Sequence, residues 1–552
     1  PAPEVLRGAG LVASWLGRMA GSHQLSFPVS SALPDTGNAI EIGENLPVDD
    51  QGHPPAGPTL LEIANPADKW GTILVVTGRN AKEVEVAARK LVFSPDTLGD
   101  VASTVVQDVS LRPRKPYDAP AFIPTDRPVR LGELVAASDL QTAGFVGAPL
   151  HVPFHLPPDL YTWHQLPFLM DLWFRAPDGA VMDLNASRLD IHLNHNYIQS
   201  YSLRPNSLWR VWSERMVTQH AGAVGHVTAM PPWLLFGQND LQFSFNTRPV
   251  DFGACRRTPG DVQMAVDSDS MLDFRRGVHF TTLPNLSYFA EIGFPFSRMA
   301  DLSETTVVLP RTPDHDTLGA YLDLMGFFGS LTGYPVAGVH LASTDEVAQK
   351  PPAGDVILLA PVQQMGGAAA LLSRSAYHID DSHLAVGQNM GLQGIWYLFQ
   401  DRDSAGLRNG VTANLDAPVK GAAFMIGAES PYAAHRSVLA LIGDDGGRIE
   451  ELVTSLHDSK VLPQIQGDLV LKNGSQLTTY RTSPTYNVGH LPFWMWVDWF
   501  LSRHPVLMYL CGVTGAVMLG TGAWMWLRAR ARRRVREQEK ADEEARMRGE
   551  GH

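Results

Sequence analysis

The sequence predicts a multidomain chain: an α/β domain, a β-sandwich, a second α/β domain and a C-terminal membrane anchor. Three observations carry this. Residues 1–123 and 303–489 alternate short apolar strands with amphipathic helices, which is the pattern of an α/β layer. Residues 124–302 break into short period-2 segments divided by Pro, Asn and Gly, as in a sandwich of jelly-roll type. Pro505–Leu527 then runs 23 residues without a charge.

Glu4–Ala20 sets Val5, Leu6, Leu11, Val12, Leu16 and Met19 at helical spacing, with Gly21 as its stop. Strands are expected at Leu25–Val29, Ala39–Gly43, Thr59–Ala64 and Gly71–Gly78. The last feeds a helix over Lys82–Val92 with Val84, Ala87, Ala88 and Leu91 on one face. Such alternation implies a largely parallel sheet. In the middle section Asp171–Pro177, Ser187–Leu203 and Leu234–Arg248 read as strands. In the second of these, Leu189, Ile191 and Leu193 face one way and Asp190, His192 and Asn194 the other. From Thr305 the first pattern returns: strand Val307–Pro310, helix Thr317–Leu331, buried strand Asp355–Pro361 and closing strand Gly467–Leu471, with a strand-rich insertion at Leu392–Met425. Ser437–Ser459 repeats the strand–Gly–helix order of Thr72–Leu91, which implies an internal duplication.

Residues 490–504 (HLPFWMWVDWFLSRH) predict an amphipathic interface helix. Phe493, Trp496, Val497, Phe500 and Leu501 form its broad apolar face, and Asp498 and Ser502 a narrow polar stripe. Residues 505–527 predict a transmembrane helix of roughly 35 Å, enough to cross a hydrocarbon core of about 30 Å. Six arginines follow within Arg528–Arg536. By the positive-inside rule the basic, charged tail 528–552 is cytoplasmic and the bulk of the chain lies outside, in a periplasm where two membranes exist. Trp524 and Trp526 at one end, and Trp494, Trp496 and Trp499 beyond the other, suit the two interfaces.

Net charge is -13, and the tail carries nine Lys/Arg against six Asp/Glu, so residues 1–527 hold -16. That excludes nucleic acid as a partner class and leaves a neutral polymer open. The two cysteines, Cys255 and Cys511, are not expected to pair, because the second falls in the span. An exported chain needs a leader, so residues upstream of Pro1 are read as removed or outside this sequence.

Leu283–Pro310 (LPNLSYFAEIGFPFSRMADLSETTVVLP), the helix ending GSLTGYPV (Gly329–Val336) and the C-terminal helix pair resemble the periplasmic regulatory subunit of bacterial cellulose synthase. The resemblance extends over essentially the whole chain. It implies flavodoxin-like α/β domains at 1–123 and 303–489 and a carbohydrate-binding-like sandwich at 124–302, with the family's first sandwich lacking here. It implies no catalysis and no cofactor: UDP-glucose and cyclic di-GMP belong to the partner, a catalytic cellulose synthase subunit against which the interface helix and anchor dock. The β-1,4-glucan chain, and other copies of this chain, are the further partners it admits. A freestanding tethered polysaccharide-binding protein and an anchored polysaccharide-processing enzyme are the alternatives.

Candidate chemistry is sparse. Gly78-Arg79-Asn80 and Gly443-Asp444-Asp445-Gly446-Gly447 sit where such sheets bind phosphate, but neither has a dinucleotide or P-loop spacing, and the second carries two carboxylates. No flavin or nucleotide is expected. His192 and His195 fall on opposite faces of a regular strand and would not share a metal. Asp267-Ser268-Asp269-Ser270 lacks the Gly and distal Glu of a calcium loop. Trp163, Trp209 and Trp212 lie among polar neighbours and are the candidates for stacking on glucan rings.

Overall fold

The computed structural model describes the whole chain except residues 22, 24, 50, 96–102, 146, 178–181, 204–223, 251–261, 381, 387–415 and 550–552. It divides into two units: Pro1–Gly387 with Asn414–His490, and Gln388–Ala413 with Leu491–His552.

In the first unit, helix α1 (Pro3–Ala20) precedes β1 (Ala39–Glu44), β2 (Thr59–Asn65), β3 (Asp68–Gly78), helix α2 (Ala81–Phe93) and β4 (Ser103–Val105). Val84, Ala87, Ala88 and Leu91 of α2 are buried with Val5, Leu11 and Val12 of α1 against Leu60 and Val76. The sheet order is β1-β3-β2-β4, and only β1 and β3 run parallel. The largely parallel sheet expected here is therefore mixed, because β2 and β3 are joined by a tight reversal at Asn65–Asp68 instead of a crossover helix. Leu25–Val29 is not a strand either. The Phe27 amide donates to the Asp323 carboxylate at 2.7 Å, so this segment lies along a helix and not in the sheet.

The second α/β layer contains β5 (Thr305–Leu309), helix α3 (His315–Thr332), β6 (His340–Ser343), β7 (Asp355–Pro361), β8 (Ala422–Glu429), β9 (Ser437–Gly443), helix α4 (Gly446–Thr454), β10 (Leu469–Asn473) and β11 (Gln476–Tyr480). Its order is β6-β5-β7-β9-β8-β10-β11, parallel as far as β9 and antiparallel beyond. β7 and β9 are buried along their whole length, as apolar runs covered on both faces should be.

The duplication shows in the pairing. β3 and β9 each lie between a parallel neighbour (β1, β7) and an antiparallel one (β2, β8), and each feeds a helix through a glycine. The halves meet where α1 packs on α3. A Cβ on Gly17 would lie 2.1 Å from the Gly326 carbonyl oxygen, and one on Gly329 would lie 1.9 Å from that of Ser14. Only glycine permits this approach.

The sandwich joins two antiparallel sheets over one core. Phe168, Met170, Leu172 and Phe174 alternate inward from one, Leu189, Ile191, Leu193, Phe243 and Phe245 from the other. Ser187–Leu203 is a hairpin, Arg188–Leu193 and Asn196–Ser202, where one continuous strand was expected. Asn194 (φ 51°) and His195 (φ 64°) form its two-residue turn, in the left-handed pair that suits the twist of a hairpin. The Asn194 side chain accepts from Asp240 N and donates to Leu234 O, which holds the turn.

Strand Val278–Leu283 pairs with both Leu160–Tyr161 and Tyr486–Gly489, tying the sandwich to the end of the second α/β layer. Beside it Asp159 bonds Tyr117 Oη at 2.5 Å and His279 Nδ1 at 3.0 Å, and the other imidazole nitrogen lies 3.0 Å from Thr125 Oγ1. The Tyr117 ring stacks on the imidazole at 3.6 Å.

Asp323 on α3 is 1% exposed, and its Oδ2 has no hydrogen-bond partner among the described residues. Burial pushes its pKa up to about 6, and Glu450 beside it is also raised, by burial and then by Asp323 and Asp316. The folded state thus holds this proton more tightly than the unfolded chain. Stability is lost as pH rises from about 4 to 6 and stays lost above that range. Asp323→Asn keeps the acceptor for Phe27 and should raise stability at pH 7.5 by roughly 1–2 kcal/mol, with no gain at pH 4. Thermal unfolding of both proteins at the two pH values checks this, and an equal gain at both would refute it.

Candidate functional site

Among the described residues, the second unit holds two helices. α5 (Phe493–Arg503) ends at His504 (φ -115°, ψ 73°), and α6 (Pro505–Gly549) begins at the proline. Pro505 has no amide hydrogen to continue the ladder and disfavours helical backbone in the residue before it, so the chain breaks here. His504 N donates back to Phe500 O and Leu501 O, closing α5.

Of the apolar face expected on α5, Phe493 (77%) and Trp496 (43%) are exposed, and Val497, Phe500 and Leu501 are half-buried. Trp496 and Phe500 stack with centroids 5.2 Å apart, and Arg503 lies 4.9 Å over Trp499. Trp494 (67% exposed) adds a large aromatic outside that face.

α6 is the described helix long and apolar enough to cross a membrane. Its 45 residues would span roughly 68 Å, so the helix continues through the arginines, where a tail was expected. Apolar side chains stand outward along its first half, Leu519 at 78% exposure. Thr514 and Thr521 turn their hydroxyls back to the carbonyls of Leu510 and Val517, at 2.7 and 2.9 Å, as a helix in hydrocarbon requires. Arg528 and Arg530 lie over the rings of Trp524 and Trp526, at 4.9 and 5.3 Å from the centroids. Gly512, Ala516 and Gly520 recur every fourth residue, with open space above both glycines. This small-residue stripe was readable in the sequence as G-x-x-x-A-x-x-x-G.

On the sandwich, Trp163 is 46% exposed in a turn, with its ring 4.6 Å from that of His164. Trp209 and Trp212 lie outside the described residues, as does Cys255. Sequence reasoning passed over Trp233 and Phe236, exposed by 62% and 48% in a turn set by Pro231-Pro232. The double proline before an aromatic was the available signal.

The helix termini named as phosphate candidates are filled by the chain itself. Asn80 caps α2 by accepting from Glu83 N, Asp445 caps α4 by accepting from Arg448 N, and Asp444 accepts from Gly421 N. Asp267 and Asp269 face Arg175 and Arg130, which makes their loop a charge-paired turn. His192 sits on a strand against Tyr197, and His195 in the hairpin turn. Thr125, His279 and Asp159 are connected like a nucleophile, base and orienter. Tyr117 covers that imidazole and shares the carboxylate, so the arrangement serves as a joint.

Three family models match, all described as cellulose synthase BcsB: the first FD domain over residues 1–106, the second CBM domain over 128–271 and the second FD domain over 279–441. A protein named "Cyclic di-GMP-binding protein" from Xanthomonas axonopodis pv. citri (strain 306) is 33% identical over 95% of this chain and 68% of its own length. The chain belongs to the BcsB family. A "Putative cellulose synthase 3" of Komagataeibacter xylinus is 65% identical over 94% of this chain and 34% of its own length. A "Cyclic di-GMP-binding protein" of the same organism is 43% identical over 94% and 65%. The chain thus spans about a third of the length of the first relatives it matches. The Leu283–Pro310 stretch that carried the resemblance lies within the second FD match.

If α6 crosses a bilayer, a charge at its middle should be poorly tolerated. Leu519→Arg should cost about 2.5–3.5 kcal/mol of insertion and move much of the protein out of the membrane fraction. Flotation of membranes from cells making each form measures it, and complete co-flotation of the variant would rule the span out.

Proposed function

We propose that this BcsB-family chain is a non-catalytic, membrane-anchored subunit of a bacterial cellulose synthase. The observation that carries the reading is the exposed apolar and aromatic surface of α5 and α6 on a member of that family. The bulk of the chain is periplasmic and the arginine-rich end of α6 cytoplasmic, the side where Lys and Arg accumulate. The chain divides into a flavodoxin-like domain at 1–123, a carbohydrate-binding-like sandwich at 124–302 and a second flavodoxin-like domain at 303–489. α5 rests in the interface, and α6 docks on the catalytic subunit through the Gly512–Ala516–Gly520 stripe, since small residues let membrane helices approach closely.

UDP-glucose and cyclic di-GMP bind the partner. Relatives from Komagataeibacter xylinus and Xanthomonas axonopodis bear a cyclic di-GMP name of their own. Here the filled caps at Asn80 and Asp445, and the net -16 of residues 1–527, favour placing an anionic ligand elsewhere. The periplasmic domains guide the emerging β-1,4-glucan, with Trp163, Trp209 and Trp212 as contacts, and copies of the chain assemble beside one another.

Replacing residues 505–527 with an unrelated apolar span should keep the protein in the membrane while co-purified glucan synthesis falls at least tenfold. Full synthesis with the swapped span would end the docking proposal. A Trp163→Ala/Trp209→Ala/Trp212→Ala variant should be retained on cellulose several-fold less than the parent. Equal retention would remove these three from the glucan path.

A further inference from the structure

We propose that the cleft between the sandwich and the second α/β layer binds a short stretch of uncharged polysaccharide. The cleft belongs to the first unit and holds about 640 Å³, within the range of ligand sites. One wall is the Pro231–Gly237 turn, which presents Trp233 and Phe236 to solvent. The other comprises the short helix Leu286–Ile292, whose Leu286, Phe289 and Ala290 are buried in the core of the second α/β layer and whose Tyr288 and Glu291 line the cleft, together with Gln466 and Arg481.

The walls are fixed in place. Glu291 Oε2 accepts from Gly237 N at 3.0 Å, and the Glu291 carbonyl accepts from the Gln238 side chain at 2.9 Å. A Cβ on Gly237 would lie 2.7 Å from Ile292 Cγ2, so the two layers meet as closely as a glycine allows. Arg481 lines the same space and has no ion-pair partner among the described residues.

This lining suits one ligand class. Aromatic rings offer flat apolar faces to the C–H faces of sugar rings. Glu291 accepts, Arg481 donates, and the Gln466 amide does both, which answers hydroxyls that are donor and acceptor at once. A polyanion would meet the Glu291 carboxylate and a polycation the Arg481 guanidinium, so an uncharged chain is favoured. The exposed aromatics lie with the polar groups in a cleft and not on a flat face.

The proposal rests on the carbohydrate reading above and refines it. Full-length protein in detergent is titrated with cellohexaose, followed by calorimetry and tryptophan fluorescence. Trp233→Ala and Arg481→Gln should each weaken binding at least tenfold, with thermal unfolding unchanged, and Tyr197→Ala on the sandwich hairpin should bind as the parent does. A charged hexasaccharide such as oligogalacturonate should not compete. Parental affinity in both variants would overturn the cleft while leaving a carbohydrate-binding sandwich intact. Failure of the parent to bind cellohexaose, or equal binding of oligogalacturonate, would also overturn it. The subunit reading is judged separately, by the span swap and co-purified synthesis.

Discussion

Two carbonyls rest on two glycines where the two α/β halves of the larger unit meet. Where α1 crosses α3, the Ser14 carbonyl meets Gly329 and the Gly326 carbonyl meets Gly17. The contact is reciprocal: each helix presents a glycine to a backbone carbonyl of the other. Ser14 reinforces it: its hydroxyl accepts from Val336 N and donates to Leu11 O. Tyr321 adds a hydrogen bond from its hydroxyl to Leu6 O. Any Cβ at either glycine would push the helices apart, and with them the two sheets whose inner faces they cover. Packing this dense transmits such strain instead of absorbing it. The arrangement also explains the buried, half-satisfied Asp323, which anchors Phe27 across the same helix at the cost of a stranded oxygen.

Much of this was legible in the residues. Helices α1, α2 and α3 appear where apolar spacing put them, and Asp355–Pro361 and Ser437–Gly443, apolar after their first residue, are buried strands. Periodicity reports which side of an element is buried, and in these segments burial decides the structure. The strand directions were not legible. β2 is as apolar as a parallel strand, yet it reverses into β3 through Asn65–Asp68, where Asn65 and Asp68 bond local amides. Leu25–Val29 has strand composition, but its amide is claimed by a carboxylate 296 residues away. Likewise, the hairpin inside Ser187–Leu203 turns at Asn-His, a weaker signal than Asn-Gly, and depends on Asn194 accepting from Asp240 N and donating to Leu234 O. In each case a distant partner outweighs a local preference.

The same division applies to the candidate sites. Helices α5 and α6 follow from composition, because a helix satisfies its own backbone and needs no other part of the chain to do so. The cleft of Trp233, Phe236, Glu291 and Arg481 could not be read this way. Its members are drawn from three stretches of sequence, and only folding makes them neighbours. Trp163 was reachable from its polar surroundings, and its exposure agrees with that reasoning.

The C-terminal helices and the cleft surround their aromatic side chains with different neighbours. On α5 and α6, Trp494, Trp524 and Trp526 sit beside apolar residues and arginines, an arrangement that rewards partition between water and lipid. Trp233 and Phe236 line the same cleft as a carboxylate and a guanidinium that has no ion pair among the described residues, groups that would resist a lipid surface and favour a hydroxyl-rich ligand. Exposure alone does not distinguish these roles, since Trp233 at 62% and Trp526 at 60% are equally open. The neighbouring polar groups do. An aromatic whose companions are apolar on one side and basic on the other belongs at a membrane boundary, whereas one framed by both an acceptor and a donor is suited to a sugar.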